Sequence, residues 1–289
     1  MGFRHSASYS KPERLCPQLV APGGCGCYPC QSAVSKPSYA PLPSPMRRPA
    51  HRPLVIAHRG HWKEAPENTL AAVRAALEHP LDGVEIDVHC TADGVPIVMH
   101  DHEVDRTTDG HGRVSGLTLA QVKVLRVRAS DGTGFSDERV PTLEEVLAVT
   151  RGRCLLCVEV KPHGIERAVL EIIRACRAEE WVWVWSFVNS VVRTFRDLAP
   201  AIPGAYISDG FATWPADRFL AEAVAIGARA VSLAWEDITP EVVATCHEMG
   251  LEVYTLAPDE PAAWDRARSA GVDAVITDHA PGLLAHWGV

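Results

Sequence analysis

Four charged residues stand two positions apart in two short apolar runs, Glu85 with Asp87 and Glu159 with Lys161. Side chains of a strand alternate between its two faces, so the members of each pair share a face if these runs are strands. Carboxylates that come together repel one another and raise one another's pKa unless a cation lies between them. Oxygen ligands in this number suit a hard divalent ion such as Mg²⁺ or Ca²⁺. The spacing therefore predicts a metal site formed by Glu85, Asp87 and Glu159.

Two histidines and an arginine accompany these residues: His58 and Arg59 end an earlier apolar run, and His100 ends a later one. An imidazole, with an ordinary pKa near ~6.5, can accept or donate a proton at neutral pH, which makes His58 and His100 candidates for general acid and base. Arg59 and Lys161 can bind an anion such as a phosphate. A single residue of this kind in a strand is more often structural, held in a salt bridge or hydrogen bond. Seven of them near strand ends predict a site for phosphoester cleavage.

The elements that must position these residues alternate regularly between strand-like runs and longer helical patterns from Pro53 onward. Strict alternation is typical of a parallel sheet, and eight repeats in about 237 residues match a (β/α)8 TIM barrel of ~250 residues. The carboxyl ends of all strands then meet on one face, where active sites of such barrels are built. The predicted strands cover residues 54–58, 83–88, 154–161, 182–187, 205–208, 230–233, 252–256 and 274–277.

One segment, residues 90–140, interrupts the alternation. It contains an extra strand-like run at 96–100 and then a polar stretch rich in Gly, Asp and Thr. We predict a small inserted subdomain after the second barrel strand. Because it follows a strand at the carboxyl-terminal face, the insertion is expected to cover or complete the site.

The composition sets limits on the class of protein. The chain has 289 residues, of which 47% are hydrophobic and 22% charged, with a formal net charge of −8. These values exclude a disulfide-held mini-protein and argue against a nucleic-acid-binding protein with a generally basic surface. No apolar run is long enough for a transmembrane helix, and the first twenty residues lack the apolar region of a signal peptide. We therefore expect a cytoplasmic protein with reduced thiols, no nucleic-acid partner and a small-molecule substrate.

Residues 1–52 differ from the remainder, which we assign to one catalytic domain at 53–289. They hold nine of the 22 prolines and four of the nine cysteines and show no periodicity, so a disordered tail is predicted. A zinc site on the tail cysteines is disfavoured because their spacing matches no common structural site. A weak myristoylation pattern at the start and a later translation start at Met46 stay open.

Ordered sequence blocks resemble the glycerophosphodiester phosphodiesterase (GDPD) family, and the likeness extends over about residues 53–288. A lone His-Arg-Gly would be a weak signal, whereas a series of blocks in the same order is a strong one. The blocks are Ala-His-Arg-Gly at 57–60, Ala-Pro-Glu-Asn-Thr at 65–69, Gly-Val-Glu-Ile-Asp-Val at 83–88, Val-Met-His-Asp at 98–101, Val-Glu-Val-Lys at 158–161 and Gly-Val-Asp-Ala-Val-Ile-Thr-Asp at 271–278.

The resemblance implies metal-dependent hydrolysis of a glycerophosphodiester to glycerol 3-phosphate and an alcohol. It also implies a TIM barrel with an insertion after the second strand. The roles it assigns are metal binding for Glu85, Asp87 and Glu159, acid–base catalysis for His58 and His100, and phosphate binding for Arg59 and Lys161. Which histidine is the acid stays open, as does the choice between direct attack by water and a cyclic phosphate intermediate.

Two alternative functions stay open, and the sequence differs from the family pattern on one strand of the barrel. A lysophospholipase D-like or sphingomyelinase D-like enzyme would leave a cyclic phosphate, and a barrel without activity would only bind phosphorylated ligands. Many family members carry Trp-Thr-Val-Asn on the seventh strand, where this chain has Tyr-Thr-Leu-Ala at 254–257, so the substrate is less certain than the metal. Glu67 and Asn68 are left outside the catalytic set because a helix amino terminus explains Asn68 equally well.

Overall fold

The computed structural model describes residues 52–129, 132–256 and 259–289. The predicted tail lies outside these ranges apart from Arg52, whose guanidinium pairs with the carboxylate of Asp82. The strands are β1 (Leu54–Ala57), β2 (Gly83–Cys90), β3 (Pro96–Val98), β4 (Arg126–Arg128), β5 (Phe135–Arg139), β6 (Leu155–Val160), β7 (Val182–Ser186), β8 (Gly204–Ile207), β9 (Ala230–Ala234), β10 (Glu252–Leu256) and β11 (Ala274–Thr277). The α-helices are α1 (Leu70–Ala76), α2 (Leu119–Lys123), α3 (Leu143–Thr150), α4 (Glu166–Ala175), α5 (Asn189–Leu198), α6 (Ala216–Ala225), α7 (Pro240–Glu248), α8 (Pro261–Ala270) and α9 (Ala280–Trp287).

Eight parallel strands form a closed barrel in the order β1, β2, β6, β7, β8, β9, β10 and β11. The sheet closes because β1 pairs in parallel with both β2 and β11. Helices cross between successive strands on the outside. The predicted (β/α)8 barrel is therefore confirmed, with strand ends that differ from the predicted ones by a few residues.

The barrel strands are buried on both faces, which explains their nearly continuous apolar sequence. In β1, for example, Val55 and Ala57 belong to the core between strands and helices, while Leu54 and Ile56 belong to the barrel interior. On β7, Trp183 and Trp185 also fill the interior. The alternation of faces is what brings every second residue of a strand into the barrel, where the strand ends can present polar side chains.

The insertion after β2 has its own small core. Its strand β3 runs antiparallel to the end of β2, and β4 pairs with β5 as a hairpin beside the short helix α2. The extra strand predicted at 96–100 is shorter than expected, and the hairpin and α2 were not predicted. The core residues of this unit are Ile97, Met99, Val104, Val114, Val122, Val127 and Val140.

Within the part of the chain that the structure describes, no helix has the length and apolar character needed to cross a bilayer.

Candidate active site

Three carboxylates meet inside the barrel near its carboxyl-terminal face. The parallel register of β2 and β6 sets Asp87 beside Glu159, and Glu85 lies one step below on the same face as Asp87. One oxygen from each lies within 4.8 Å of the others. All three residues are buried, with Asp87 fully inaccessible. The structure thus brings together the three residues predicted to bind a metal.

Two cations partly neutralise this carboxylate cluster. The ammonium of Lys161 lies 2.8 Å from Asp87 Oδ1 and 2.6 Å from Glu159 Oε1, and Arg59 Nε lies 3.5 Å from Asp87 Oδ2. Both residues predicted to bind phosphate thus also contact the carboxylates, which the sequence did not predict. Two positive charges still face three carboxylates, so the cluster has a net negative charge when all three are ionised, and this favours the binding of a cation.

Glu85 has one buried carboxylate oxygen that no cation in the described segments contacts, whereas Asp87 Oδ1 and Glu159 Oε1 face the Lys161 ammonium. Glu85 Oε2 accepts a hydrogen bond from the backbone N–H of Arg59 at 2.9 Å. Its Oε1 is buried and has no hydrogen-bond partner among the described residues. A buried carboxylate oxygen left in this state is costly unless a cation or a proton occupies it. The donor set of three carboxylates and this orphaned oxygen fit a hard divalent ion.

The protonation of the cluster follows from burial and neighbouring charge. Burial raises the pKa of Glu85 well above its usual value, and Asp87 and Glu159 raise it further. Burial likewise raises the pKa of Glu159, to about 7, against the opposing effect of Lys161. Burial would also raise the pKa of Asp87, but Lys161 and Arg59 hold it well below the usual range. Without a metal, protons bound by Glu85 and Glu159 therefore neutralise part of the negative charge that a cation would otherwise neutralise.

His58 follows the last residue of β1 and is oriented by a carboxylate. Its Nδ1 lies 2.6 Å from Asp278 Oδ1, just beyond the end of β11. Its Nε2 lies 3.9 Å from Glu85 Oε2. A carboxylate on Nδ1 favours the tautomer that carries its proton there, so Nε2, which faces the cluster, is the nitrogen available for proton transfer.

His100 has the same arrangement, just beyond β3, the insertion strand that pairs with the end of β2. Its Nδ1 lies 2.6 Å from Asp101 Oδ1. Arg106 holds Asp101 through two bonds of 2.6 and 3.0 Å and holds Glu67 through two bonds of 2.9 and 2.8 Å. Burial lowers the pKa of His100, while the hydrogen bond to Asp101 raises it. Each predicted catalytic histidine thus has a supporting carboxylate.

Asn68 is a site residue that the sequence argument set aside. Its Nδ2 donates to Asp87 Oδ2 at 2.7 Å, and its Oδ1 accepts from the backbone N–H of Asp87 at 3.1 Å. The side chain of Thr69, not of Asn68, caps helix α1. Asn68 instead adopts a left-handed backbone with φ of 58°, a conformation that asparagine tolerates better than most residues. It therefore fixes a member of the carboxylate cluster.

Glu67 was set aside together with Asn68, and three further residues were missed: Asp101, Arg106 and Asp278. Asp101 and Asp278 stand within the quoted sequence blocks, and Asp101 directly follows His100, so their acidic character beside a histidine or strand end was the available signal. Arg106 lies in the polar part of the insertion, where periodicity gives no signal.

Tyr254, the departure from the family pattern, lies away from the cluster. It is buried in the barrel interior and stacks on Trp183 with ring centroids 5.6 Å apart. Its hydroxyl donates to Glu252, at the start of β10, over 3.4 Å. The hydroxyl thus points toward the amino-terminal end of the barrel, and Ala257 falls outside the described residues.

Comparisons with known proteins agree with this geometry. The model of the glycerophosphoryl diester phosphodiesterase family matches residues 58–281. A glycerophosphodiester phosphodiesterase of Caldanaerobacter subterraneus is 35% identical over 237 residues, which cover 80% of this chain and 96% of the relative.

Two solved structures share the fold along most of their length. An Oleispira antarctica phosphodiesterase in complex with the product sn-glycerol-3-phosphate matches with a TM-score of 0.73 and 26% identity, covering 82% of this chain and 98% of the other. A glycerophosphodiester phosphodiesterase of Agrobacterium tumefaciens matches with a TM-score of 0.69 and 27% identity, covering 81% and 99%. The predictions of the fold, of the family and of a phosphoric diester hydrolase are confirmed: this chain belongs to the glycerophosphoryl diester phosphodiesterase family.

Proposed function

We propose that this chain hydrolyses water-soluble glycerophosphodiesters to glycerol 3-phosphate and an alcohol, with a divalent metal ion held by Glu85, Asp87 and Glu159. The observation that carries the proposal is the pairing of a three-carboxylate cluster with His58 and His100, each with Nδ1 bound by a carboxylate. These groups supply a cation site and two proton-transfer groups, which are the parts that metal-assisted ester hydrolysis requires.

The metal site is best suited to Mg²⁺ or Ca²⁺, because all three protein ligands are carboxylates. When bound, such an ion supplies positive charge to the phosphoryl oxygens and favours a deprotonated nucleophile. The chain itself contributes the fixed ligand positions: Asn68 holds Asp87, and the backbone N–H of Arg59 holds Glu85. Ligands that are held in this way need little rearrangement when the ion binds.

Arg59 and Lys161 bind the phosphate in this proposal. Both side chains lie at the mouth of the barrel and are largely buried, with 19% and 13% of their side-chain surface exposed. Arg59 is also steadied by Glu67, whose Oε1 accepts from Nη1 at 3.1 Å. Positive groups that are already positioned stabilise the charge that develops on the phosphoryl oxygens.

The two histidines move the protons. One Nε2 accepts the proton of the attacking hydroxyl, and the other donates a proton to the departing alkoxide, so the alcohol leaves neutral. Asp278 and Asp101 hold the two rings and stabilise each imidazolium as it forms, which is the usual role of a carboxylate on Nδ1. The assignment of acid and base between His58 and His100 is testable by pH dependence.

Two small clefts beside the site support a small bipartite substrate. One, of about 220 Å³, is lined by Trp62, Glu67 and Arg106 on the insertion side. The other, of about 190 Å³, includes Phe187, whose ring lies 6.0 Å from the ammonium of Lys161, and Trp214. Both contain charged as well as aromatic residues, which suits a glycerol and a polar head group better than an acyl chain.

Product analysis by phosphorus NMR tests the proposal. The metal-free chain receives Mg²⁺ or Ca²⁺ and is incubated with glycerophosphocholine, glycerophosphoethanolamine or a lysophospholipid. We expect glycerol 3-phosphate from the first two substrates, no turnover after EDTA treatment, and at least a hundredfold lower rate for Glu85→Gln. Glu78→Gln, an exposed glutamate outside the site, is the matched control and should retain activity.

Three results would contradict the proposal. A cyclic phosphate from the lysophospholipid, without glycerol 3-phosphate from the small substrates, would identify the alternative lysophospholipase D-like or sphingomyelinase D-like activity. Turnover that persists in EDTA, or in Glu85→Gln, would contradict the proposal that a metal ion bound by Glu85 is needed for the reaction. Binding of the small substrates without turnover in either metal would leave only a ligand-binding barrel.

A further inference from the structure

A second group of metal-ligating side chains lies apart from the carboxylate cluster. His61 and Glu64 stand in the loop between β1 and α1, and His79 follows the end of α1. One ligand atom from each lies within 4.8 Å of the other two. The group joins two imidazoles and one carboxylate from two segments that are fifteen or more residues apart in sequence.

The spacing of these atoms is close to what zinc requires. His61 Nε2 lies 3.6 Å from Glu64 Oε2. In a tetrahedral zinc site with bonds of about 2.0–2.1 Å, neighbouring ligand atoms are separated by about 3.3 Å. The rings of His61 and His79 meet edge to face, with centroids 5.6 Å apart and planes at 83°. Small side-chain rotations would therefore complete the site.

The imidazole of His61 lacks the partners that a structural histidine normally has. Its Nδ1 is buried and has no hydrogen-bond partner among the described residues. Its Nε2 approaches Glu64 only to 3.6 Å, which is longer than a hydrogen bond. The side chain is nevertheless only 12% exposed, so water reaches it poorly. Zinc bound by Nε2 would hold this largely buried imidazole in place, which its contact with Glu64 at 3.6 Å does not do.

Four other histidines of the described segments each form a hydrogen bond with one carboxylate, at 2.7–3.0 Å. These pairs are His111 with Asp105, His163 with Glu166, His247 with Asp273 and His286 with Asp265. The His61 group instead has two imidazoles, one carboxylate and no hydrogen bond between them.

We propose that His61, Glu64 and His79 form a zinc site separate from the catalytic metal, with water as the remaining ligand. Two imidazoles and one carboxylate are ligands that zinc prefers, whereas Mg²⁺ and Ca²⁺ prefer oxygen alone, so the two sites select different ions.

The position of the zinc site indicates a structural role. It links the end of α1 to the loop that continues into Glu67 and Asn68, which contact Arg106 and Asp87. Zinc binding therefore stabilises the segment that supports the active site without contacting substrate. The site is independent of the catalytic proposal, because its zinc binding can be measured without turnover.

Zinc titration of the full-length, metal-stripped chain tests the proposal. Calorimetry is performed in excess Mg²⁺, which occupies the carboxylate cluster, and total zinc is counted by mass spectrometry. Wild type should bind one more equivalent of zinc than His79→Gln. Zinc should also raise the Tm of wild type by several degrees more than the Tm of His79→Gln. The tail cysteines contribute equally to every variant, so the difference reports the His61 group alone.

Matched variants make the outcome decisive. Glu64→Gln changes a side chain that is 59% exposed, so it should fold normally yet bind the extra zinc at least tenfold more weakly. His286→Gln removes a histidine from an ordinary surface pair and should bind zinc as wild type does. Glu85→Gln should lose turnover and keep the extra equivalent. Equal zinc stoichiometry and affinity in wild type, His79→Gln and Glu64→Gln would overturn the site.

Discussion

The carboxylate behind His100 offers a sharp test of the proposed proton transfer, through Asp101→Asn. Asp101 accepts from His100 Nδ1 at 2.6 Å and from Arg106 at 2.6 and 3.0 Å. Asparagine has nearly the same shape, but it carries no charge and replaces one acceptor oxygen with an N–H₂ group. That group must face His100 Nδ1 or the guanidinium of Arg106, and because both are donors, at least one contact is lost.

The size of the effect follows from the kind of hydrogen bond removed. A hydrogen bond to a charged group contributes about 1.5–3 kcal/mol and a neutral one about 0.5–1.5 kcal/mol. The substitution therefore weakens the support of His100 by about 1–2 kcal/mol, which corresponds to a roughly 5- to 30-fold lower kcat/KM. Arg106 keeps its two bonds to Glu67, so the fold and the Tm should change little.

The pH dependence has a definite sign. Burial lowers the pKa of His100 and the hydrogen bond to Asp101 opposes that effect, so Asp101→Asn should lower this pKa further. A general base must be neutral, and in that case the acid limb of the kcat/KM profile moves to lower pH. A general acid must be protonated, and in that case the alkaline limb moves to lower pH. The limb that moves thus identifies the role of His100.

The assay is kcat/KM for glycerophosphocholine with saturating metal, measured across the neutral range. Asp105→Asn is the matched control, because it removes a carboxylate from the exposed His111, 2.9 Å away, and should leave the profile unchanged. A kcat/KM within twofold of wild type, with both limbs in place, would refute the role of Asp101 and weaken that of His100.

Two further predictions concern the metal-free carboxylates and the turn after β1. With EDTA present, the Tm of wild type should fall relative to that of Glu159→Gln as pH rises from about 4.5 to about 7, because protonated Glu159 favours the folded state and that contribution is lost as pH passes its raised folded pKa. Calorimetry of the two proteins measures this difference, and a difference in Tm that does not change with pH would contradict the assignment. Gly60→Ala should lower the free energy of unfolding, measured with urea, by more than Gly94→Ala. Both glycines have left-handed backbones, with φ of 77° and 83°, which costs alanine about 1–2 kcal/mol, but only at Gly60 would the new Cβ meet the Ala72 backbone, at 2.7 Å. Equal losses would show that the close approach to α1 is unimportant.

The barrel and the convergence of the three carboxylates could be predicted because both follow from regular geometry. Residues two apart on a strand share a face, and parallel strands end on the same side of a barrel, so Glu85, Asp87 and Glu159 had to converge. His58 and Lys161 were predicted for the same reason, since each directly follows a barrel strand.

The supporting residues could not be predicted in this way because loops position them. Asn68 reaches Asp87 only through a left-handed backbone that no periodicity indicates. Arg106 lies in the insertion, where the hairpin strand β4 has a single buried residue, Val127, between two exposed arginines. A pattern that short does not distinguish a strand from a loop. The pairing of Lys161 with two carboxylates likewise depends on distances that spacing alone does not give.

The separate core of the insertion means that this unit and the barrel can diverge independently in evolution. Its apolar residues pack among themselves, so they can change together without disturbing the barrel. The hydrogen bonds that Arg106 donates to Asp101 and Glu67 cannot change in this way, because they connect the insertion to the loop that precedes α1. Exchange of the insertion between relatives would therefore remodel one wall of the substrate cleft while the catalytic chemistry stays in place, provided that this arginine is retained.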